Sequence, residues 1–509
     1  MRQKHESILI RGVNWIGDAV MTLPAIRAVR RAYPEARISV LAKPSVAPVY
    51  EHLRGIDEVI VQHDHHEGIL GRFKMAMELR RKKFTKAILL QNAFGAALTA
   101  FLARIPERIG YDRDGRGFLL TKAIPYKNED LVMHHINYYL HLLKQAGIAA
   151  EYERPALVIT LQERLWARRR LADLPKPILG INPGATYGSA KRWHPDRFAE
   201  VANWFIRTTG GGVILFGSKR EEDIAREIEE DIPHNNKLCV AGHTTLRDLM
   251  ALIAECDVFV TNDSGPMHLA NAIGTPLVAI FGSTSPALSG PLGDGVRVLN
   301  AGVPCSPCFE RTCPRKDLKC MATITADEAS HELAQIVPRQ RAVFFDRDGT
   351  LCRDADYLSD WKDFELFPDI EQVLRLKEKG YLLIGVSNQS GIGRGRVMES
   401  FAKEVNQVFI DKYGFDDFFY CPHRPDEHCS CRKPELAMIQ EARLKYRIDL
   451  SRSYVVGDKD ADMLLARMVG ARAILVQTGQ QASSEHAHRI VQSLSDAVAA
   501  ILADENKDT

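Results

Sequence analysis

Two aspartates one residue apart, Asp346 and Asp348, close the run Val343-Phe344-Phe345 and are followed by Gly349-Thr350. The apolar run predicts a buried strand, and open α/β sheets bind ligands at the loops leaving the carboxyl ends of their strands. There one carboxylate can attack phosphorus while the other shuttles protons. Asp-Gly pairs also make ordinary turns, but further groups suited to phosphoryl chemistry follow, each behind a strand-like run. Residues 381–386 lead to Ser387-Asn388-Gln389-Ser390-Gly391, whose hydroxyls and N–H groups can hold phosphoryl oxygens at a helix start. Lys433 stands in Cys431-Arg432-Lys433-Pro434, and residues 453–456 run into Gly457-Asp458-Lys459-Asp460-Ala461-Asp462. A carboxylate attacking a phosphate dianion meets like-charge repulsion, so such a site needs cations, here a lysine and a divalent metal.

Ahead of Lys433 lie Cys421, His423, Cys429 and Cys431, three thiols and one imidazole within eleven residues. That set suits tetrahedral zinc. A closed four-ligand shell leaves no position for water, so the zinc is expected to fix the loop carrying Arg432 and Lys433. His428 is the spare imidazole and is expected to face solvent. A disulfide cluster is disfavoured because no secretory signal opens the sequence.

Over roughly residues 341–509 this pattern resembles the phosphatases of the haloacid dehalogenase superfamily. The resemblance implies that Asp346 is the nucleophile, becoming an aspartyl phosphate, while Asp348 protonates the leaving alkoxide and then activates water. It implies a magnesium ion held by Asp346, Asp458 and the backbone carbonyl of Asp348, with Ser387 and Lys433 neutralising the transferring group. Asn388, Arg432 and Lys459 are the implied substrate contacts. Asp462 either binds through water or caps the next helix. About thirty-six residues separate Thr350 from Ser387 and about forty-five separate Ser387 from Lys433, too few for a large cap domain. Among capless members, this zinc loop resembles those of D-glycero-D-manno-heptose 1,7-bisphosphate 7-phosphatases and of histidinol-phosphate phosphatases. This region alone does not separate the two.

Two more strand–loop–helix series precede it. After a charged start at 1–6, residues 7–10 read as a strand, and a glycine-punctuated loop brings Asp18 to the opening of a helix that continues to about Tyr33. Residues 37–42, 59–62 and 86–91 are further strand-like runs alternating with helical stretches. A second series starts at Pro177, with later strands at 213–216, 258–261 and 277–281. Two Rossmann-like domains in tandem suggest a cleft between them. In the second, Gly184-Ala185-Thr186-Tyr187-Gly188-Ser189-Ala190-Lys191 and Asn262-Asp263-Ser264-Gly265-Pro266-Met267-His268 offer small residues, hydroxyls and a lysine to a diphosphate.

Singly, Asp18 reads as an N-cap, Lys191 as a surface charge and His268 as a core histidine. As an ordered set with Gly17-Asp18 they resemble the heptosyltransferases of glycosyltransferase family 9, most closely the type II group, over about residues 7–336. The resemblance implies a GT-B arrangement, ADP-heptose as donor, and inversion by single displacement without metal. Asp18 would be the base toward the acceptor hydroxyl. Thr186, Lys191, Asp263, Ser264, Gly265 and His268 would hold the donor diphosphate, where negative charge grows as ADP departs.

Heptose joins the two resemblances. The phosphatase would make heptose 1-phosphate for the ADP-heptose pathway, and the transferase would consume ADP-heptose. The expected whole is an α/β chain with a bifunctional role in lipopolysaccharide inner-core synthesis. Its parts are an acceptor-side GT-B domain at 1–172, an ADP-heptose-binding domain at 173–337 and a capless phosphatase domain at 341–509, reached through the short linker Pro338-Arg339-Gln340-Arg341. The shared sugar favours heptose bisphosphate over histidinol phosphate or another small phosphate ester. A non-catalytic scaffold role for one half is the reading of a different class. Nucleotide activation and epimerisation lie between the two reactions and no domain remains for either, so direct channelling is not expected.

The 509 residues are 45% hydrophobic and 26% charged with a net charge of +2, which fits a cytoplasmic α/β enzyme. The apolar stretch 87–105 is interrupted by Gln91, Asn92 and Arg104 and is expected in a core, not a membrane. Basic clusters around Arg27 to Arg31, Arg80 to Lys86 and Arg168 to Arg170 usually mark solvated faces. Toward a phosphorylated lipid A-core acceptor they would also support peripheral contact with the inner face of the cytoplasmic membrane. Nucleic acid is not an expected partner, since no aromatic platform or DNA-binding motif accompanies the charges. Cys305, Cys308, Cys313 and Cys320 have a spacing open to a second metal or to a reduced or disulfide-linked loop. Residues 325–337 read as a closing helix, and the polar tail 505–509 as frayed.

Overall fold

A computed structural model describes residues 6–127, 132–233 and 235–508, so nearly all of the charged start 1–6 lies outside the described residues. The chain divides into two compact units, Met1–Ile336 and Val337–Thr509. The first holds two six-stranded sheets and the second one.

In the first sheet the strands are β1 (Ser7–Arg11), β2 (Arg37–Ala42), β3 (Glu58–Val61), β4 (Lys86–Leu89), β5 (Glu107–Tyr111) and β6 (Lys122–Ile124). The second contains β7 (Ile178–Asn182), β8 (Gly212–Leu215), β9 (Lys237–Cys239), β10 (Val258–Asn262), β11 (Leu277–Phe281) and β12 (Val296–Asn300). The third contains β13 (Arg341–Phe345), β14 (Tyr381–Asn388), β15 (Asp417–Cys421), β16 (Tyr454–Gly457), β17 (Arg472–Val476) and β18 (Arg489–Val491). The strand orders are β3-β2-β1-β4-β5-β6, β9-β8-β7-β10-β11-β12 and β15-β14-β13-β16-β17-β18, with parallel pairing throughout. All three sheets therefore share one doubly wound topology. In each, the order reverses beside the first strand, which opens a crevice at the carboxyl ends of two neighbouring central strands.

The central strands are buried on both faces, as β7, β10 and β11 illustrate, which is why they read as unbroken apolar runs and not as alternating ones. Helices cover the faces, and most of the apolar stretch 87–105 lies in this core, while its Phe94 and Phe101 are exposed. Two expectations need correction. The helix foreseen from Asp18 to Tyr33 is two helices, Ile16–Met21 and Leu23–Ala32, because Pro24 has no N–H to continue the ladder. The tail foreseen as frayed extends the helix Leu494–Asp508, where Glu505 is anchored by an ion pair to Arg341, and Thr509 lies outside the described residues.

Candidate active sites

In the first unit, Asp18 sits in the first turn of the helix that follows β1. Its Oδ1 lies 3.5 Å from His135 Nδ1. Across the two Rossmann halves, Gly17 meets His268 so closely that a Cβ there would stand 2.6 Å from the ring. His268, on the helix Gly265–Ile273 after β10, is buried. Burial drives its pKa down to about 4, although Asp263 and Asp18 pull the other way, so the ring is neutral near pH 7. His134 ties the halves together as well: its Nδ1 accepts from Ile136 N–H and its Nε2 lies 2.9 Å from the Gly290 carbonyl, which assigns the proton to Nε2.

The loop after β7 carries Thr186, exposed near its tip, and Lys191 at its end. Lys191 Nζ donates to Asp263 Oδ2 at 2.5 Å, and Thr284 Oγ1 donates to the same oxygen at 2.5 Å. Ser264 lies beside Thr261 Oγ1 at 3.2 Å and heads the helix without a side-chain cap, as Gly265 opens its first turn. Asn262 clamps both ends of the loop: its Nδ2 donates to the Pro183 carbonyl at 2.6 Å and its Oδ1 accepts from Trp193 N–H at 3.0 Å. The structure thus brings Asp18, His268, Asp263 and Lys191 near one another, with Asp18 and Lys191 on opposite halves.

In the second unit, Asp346 and Asp348 leave β13, Ser387 and Asn388 end β14, and Asp458 leaves the neighbouring β16. Lys433 Nζ reaches Asp346 at 2.8 Å, Asp462 at 2.6 Å and the Val386 carbonyl at 2.8 Å. Burial opposes the charge on Lys433, but Asp346 and Asp462 outweigh it and hold its pKa above the ordinary lysine value. Asn388 fixes the backbone of Lys433 through both its N–H and its carbonyl. Asp348 accepts from Arg347 Nε and Nη2 at 3.1 Å each and from Gln389 Nε2 at 2.6 Å. Burial pushes Asp348 upward, yet Arg347 and Gln389 prevail and hold it below the usual carboxylate range. Asp462 accepts from Lys459 N–H at the start of the next helix, the capping contact, and also pairs with Lys433, which was not foreseen.

Asp346, Asp458 and Asp462 lie close enough for one oxygen of each to reach a common ion. Burial first, and Asp346 second, push Asp458 up to about 7. Its Oδ1 is buried with no hydrogen-bond partner. An orphaned carboxylate oxygen beside a second buried acid suits a hard divalent cation. Gly349 makes this approach feasible: it has φ +90 and a Cβ there would stand 2.5 Å from Asp458. Lys459 bridges toward Asp354 at 3.3 Å, and Arg432 keeps Nη1 buried without a partner beside Lys433.

The ligand atoms of Cys421, His423, Cys429 and Cys431 also converge. Cys421 and Cys429 sulfurs are 3.5 Å apart, and His423 Nδ1 is 3.6 Å from Cys421 and 3.2 Å from Cys431. A tetrahedron of zinc bonds of about 2.3 Å has edges of roughly 3.7 Å. The spacing fits a zinc shell, and the three cysteines are free thiols. His428 stands apart in a left-handed turn.

A model of glycosyltransferase family 9 (heptosyltransferase) matches residues 72–319, and one of the HAD-hydrolase-like family matches residues 430–504. The chain is 33% identical to lipopolysaccharide heptosyltransferase 2 of Salmonella typhimurium over 305 residues, 57% of this chain and 87% of that protein. It is 38% identical to D-glycero-beta-D-manno-heptose-1,7-bisphosphate 7-phosphatase of Haemophilus ducreyi over 176 residues, 31% of this chain and 97% of that protein. The chain belongs to both families. The structure of E. coli ADP-heptose lps heptosyltransferase II matches with a TM-score of 0.56 and 29% identity, over 65% of this chain and 98% of that one.

Within the family 9 unit, sequence reasoning missed His134, His135, Asn262 and Thr284. Asn262 stood inside a quoted motif, and a polar residue ending a buried strand was the available signal. In the phosphatase unit it missed the holding roles of Arg347 and Gln389, which flank predicted site residues. Cys305, Cys308, Cys313 and Cys320 are free thiols, and among the described residues their sulfurs are not gathered around one point as the zinc-loop atoms are. Cys305, Cys308 and Cys313 all act electrostatically on Cys320, and the backbone of their loop is bonded to neighbouring loops. The Arg311 carbonyl accepts from Ala190 N–H at 3.0 Å, the Phe309 carbonyl accepts from Tyr187 OH at 2.8 Å, and Phe309 N–H donates to Ser283 at 2.7 Å, so the cysteine loop braces the Lys191 loop.

Proposed function

We propose that the chain is a bifunctional enzyme of lipopolysaccharide inner-core synthesis: an inverting ADP-heptose heptosyltransferase acting on a lipid A-core acceptor, and a heptose 1,7-bisphosphate 7-phosphatase. The observation that carries the reading is the similarity of each unit to nearly the whole length of an enzyme named for the same sugar. We divide the chain at 1–172, 173–337 and 341–509, with the helix Leu161–Arg170 lending its face to the second domain through Arg164 and Glu255, 3.0 Å apart.

In the transferase, Asp18 takes the proton from the acceptor hydroxyl as that oxygen bonds to the anomeric carbon and the bond to the diphosphate breaks. His135 holds the carboxylate in place. Lys191, Thr186 and the start of the helix Gly265–Ile273 receive the charge developing on ADP, with Asp263 and Ser264 setting that corner. His268, kept neutral, lines the crevice without adding charge.

In the phosphatase, Asp346 attacks the 7-phosphoryl group and the sugar oxygen leaves with a proton from Asp348. Asp348 then takes a proton from the water that hydrolyses the aspartyl phosphate, while Arg347 and Gln389 keep its carboxylate aimed. Lys433 and Ser387 hold phosphoryl oxygens, and Asn388, Arg432 and Lys459 meet the rest of the substrate. A magnesium ion held by Asp346, Asp458 and the Asp348 carbonyl would supply charge neutralisation. Zinc at Cys421, His423, Cys429 and Cys431 would fix the loop that presents Lys433. Among the described residues no helix is long and apolar enough to cross a membrane. We place the enzyme in the cytoplasm, meeting its acceptor at the inner face of the membrane.

Phosphate release with magnesium, compared as kcat/KM for the two heptose 1,7-bisphosphate anomers and for histidinol phosphate, tests the shared-sugar reading. Preference for heptose bisphosphate is expected. Preference for histidinol phosphate would separate the two halves metabolically.

A further inference from the structure

The helix Gly68–Arg81, between β3 and β4, buries Gly71, Met75, Ala76 and Leu79. Its outward face is unusual. Ile69 and Leu70 are 87% and 86% exposed, and Phe73 is 56% exposed. Ile69, Phe73 and Met77 follow one another at four-residue spacing, so they form one stripe. The other outward positions are Lys74, Arg80 and Arg81. Each large apolar side chain left in water forgoes roughly 1.5–3 kcal/mol that burial would give. The acids that border the face are each paired: Glu78 lies 3.3 Å from His66, and Glu67 at the helix start pairs with Lys43 at 2.8 Å.

The position matches the stripe to a use. The apolar turns open where β3 ends, the same end of the parallel sheet that presents Asp18 after β1. Phe118 is 77% exposed at that end and lies 6.2 Å from Phe94, which starts the helix after β4. Of the basic clusters singled out from sequence, those at Arg27 to Arg31 and Arg168 to Arg170 are largely engaged elsewhere, since Arg30 pairs with Asp57, Arg31 with Glu153 and Arg168 with Glu255.

We infer that the outward face of helix Gly68–Arg81 docks on an anionic phospholipid surface. Ile69, Leu70 and Phe73 enter the boundary between headgroups and acyl chains, and Lys74, Arg80 and Arg81 meet headgroup phosphates. An apolar stripe flanked by cations, with the bordering acids paired to other groups, complements such a surface in both hydrophobicity and charge. The inference rests on the reading of the acceptor as lipid-borne, because docking at this end would hold Asp18 toward the membrane that carries it.

The test is co-sedimentation of the full chain with phosphatidylglycerol–phosphatidylethanolamine vesicles and with phosphatidylcholine vesicles. The chain is expected to bind the anionic vesicles, less at high salt. Ile69→Ser/Leu70→Ser/Phe73→Ser should lower the bound fraction about tenfold, and Lys74→Glu/Arg80→Glu/Arg81→Glu should do the same. Both variants should keep heptose transfer to a deacylated, water-soluble acceptor within about twofold, as exposed changes away from the site do. Failure of the wild type to bind anionic vesicles, or equal binding by both variants, would overturn the inference. So would a wild-type homodimer, found by sedimentation equilibrium, that the triple serine variant dissolves while vesicle binding persists. Vesicle binding lost in the variants, together with no transfer by the wild type to the soluble acceptor, would support docking and sink the transferase reading alone.

Discussion

Lys433 and the acids around it depend on one another. Its ammonium is buried between Asp346 and Asp462, so removing it leaves two buried carboxylates facing each other and Asp458 nearby. Lys433→Met should therefore abolish phosphate release and also cost about 3–5 kcal/mol of stability in the second unit, measured by urea unfolding. Asp346→Asn should abolish release while leaving that unit folded, because it removes a like charge from the cluster. His268 has a different signature. Its folded pKa of about 4 lies below the ordinary value of about 6.5. Between those pH values the unfolded chain binds the extra proton, so this contribution to stability is full above about pH 6.5 and is lost as pH falls toward 4. His268→Gln should flatten that part of the stability–pH curve relative to wild type. The sequence made Asp346, Asp348 and Asp458 legible because each follows an apolar run at a strand end, and Lys433 legible because it closes the zinc-loop motif. It did not make the role of Arg347 legible, since its burial depends on Asn406, 59 residues away and 3.0 Å distant in the fold.

At the scale of elements, eleven strands were legible from apolar runs, with ends that differ from the expected ones by one or two residues, as at β3, β8 and β14, whereas β5, β6, β9, β12, β15, β17 and β18 were not foreseen. The loop clamp was not. Asn262 holds Pro183 and Trp193, which lie 79 and 69 residues from it, and local sequence carries no trace of such a pairing. Asn262→Ala should strand the Pro183 carbonyl and the Trp193 N–H, loosen the Lys191 loop and raise the KM for ADP-heptose about tenfold, with a smaller change in kcat. The break at Pro24 was printed in the sequence, but the apolar periodicity on both sides masks it. The zinc loop is a case where spacing alone sufficed to foresee convergence, and the cysteine loop at 305–320 one where spacing was ambiguous and its backbone bonds to the Lys191 loop decide its shape. Metal analysis of the purified chain should find zinc at one per chain, about as expected for one closed shell. Cys429→Ser should lose that zinc, expose the loop to protease and lower phosphatase activity without changing heptose transfer.

At the scale of the whole molecule, every residue proposed for transfer precedes Ile336 and every residue proposed for phosphate release follows Val337, so neither site borrows from the other unit. The segment at the boundary belongs to the second unit: Arg447 donates to the Val337 carbonyl at 3.1 Å, and the Arg447 carbonyl accepts from Arg339 N–H at 2.8 Å. Separately expressed 1–336 and 337–509 should therefore keep their kcat/KM values within about twofold of the full chain, whereas a cut after Arg341 would remove the first residue of the central strand β13 and the segment bonded to Arg447. The tandem organisation was legible because three βα series follow one another, with a short proline-containing link before the last.

The central claim is that one chain performs two reactions at two independent acids. The most direct measurement puts Asp18→Asn and Asp346→Asn, each in the full chain, through both assays: heptose transfer from ADP-heptose and phosphate release from heptose 1,7-bisphosphate. Each variant should lose its own reaction by about 10²–10⁴-fold or more and keep the other at the wild-type rate. Retention of the assigned reaction by either variant would contradict the account.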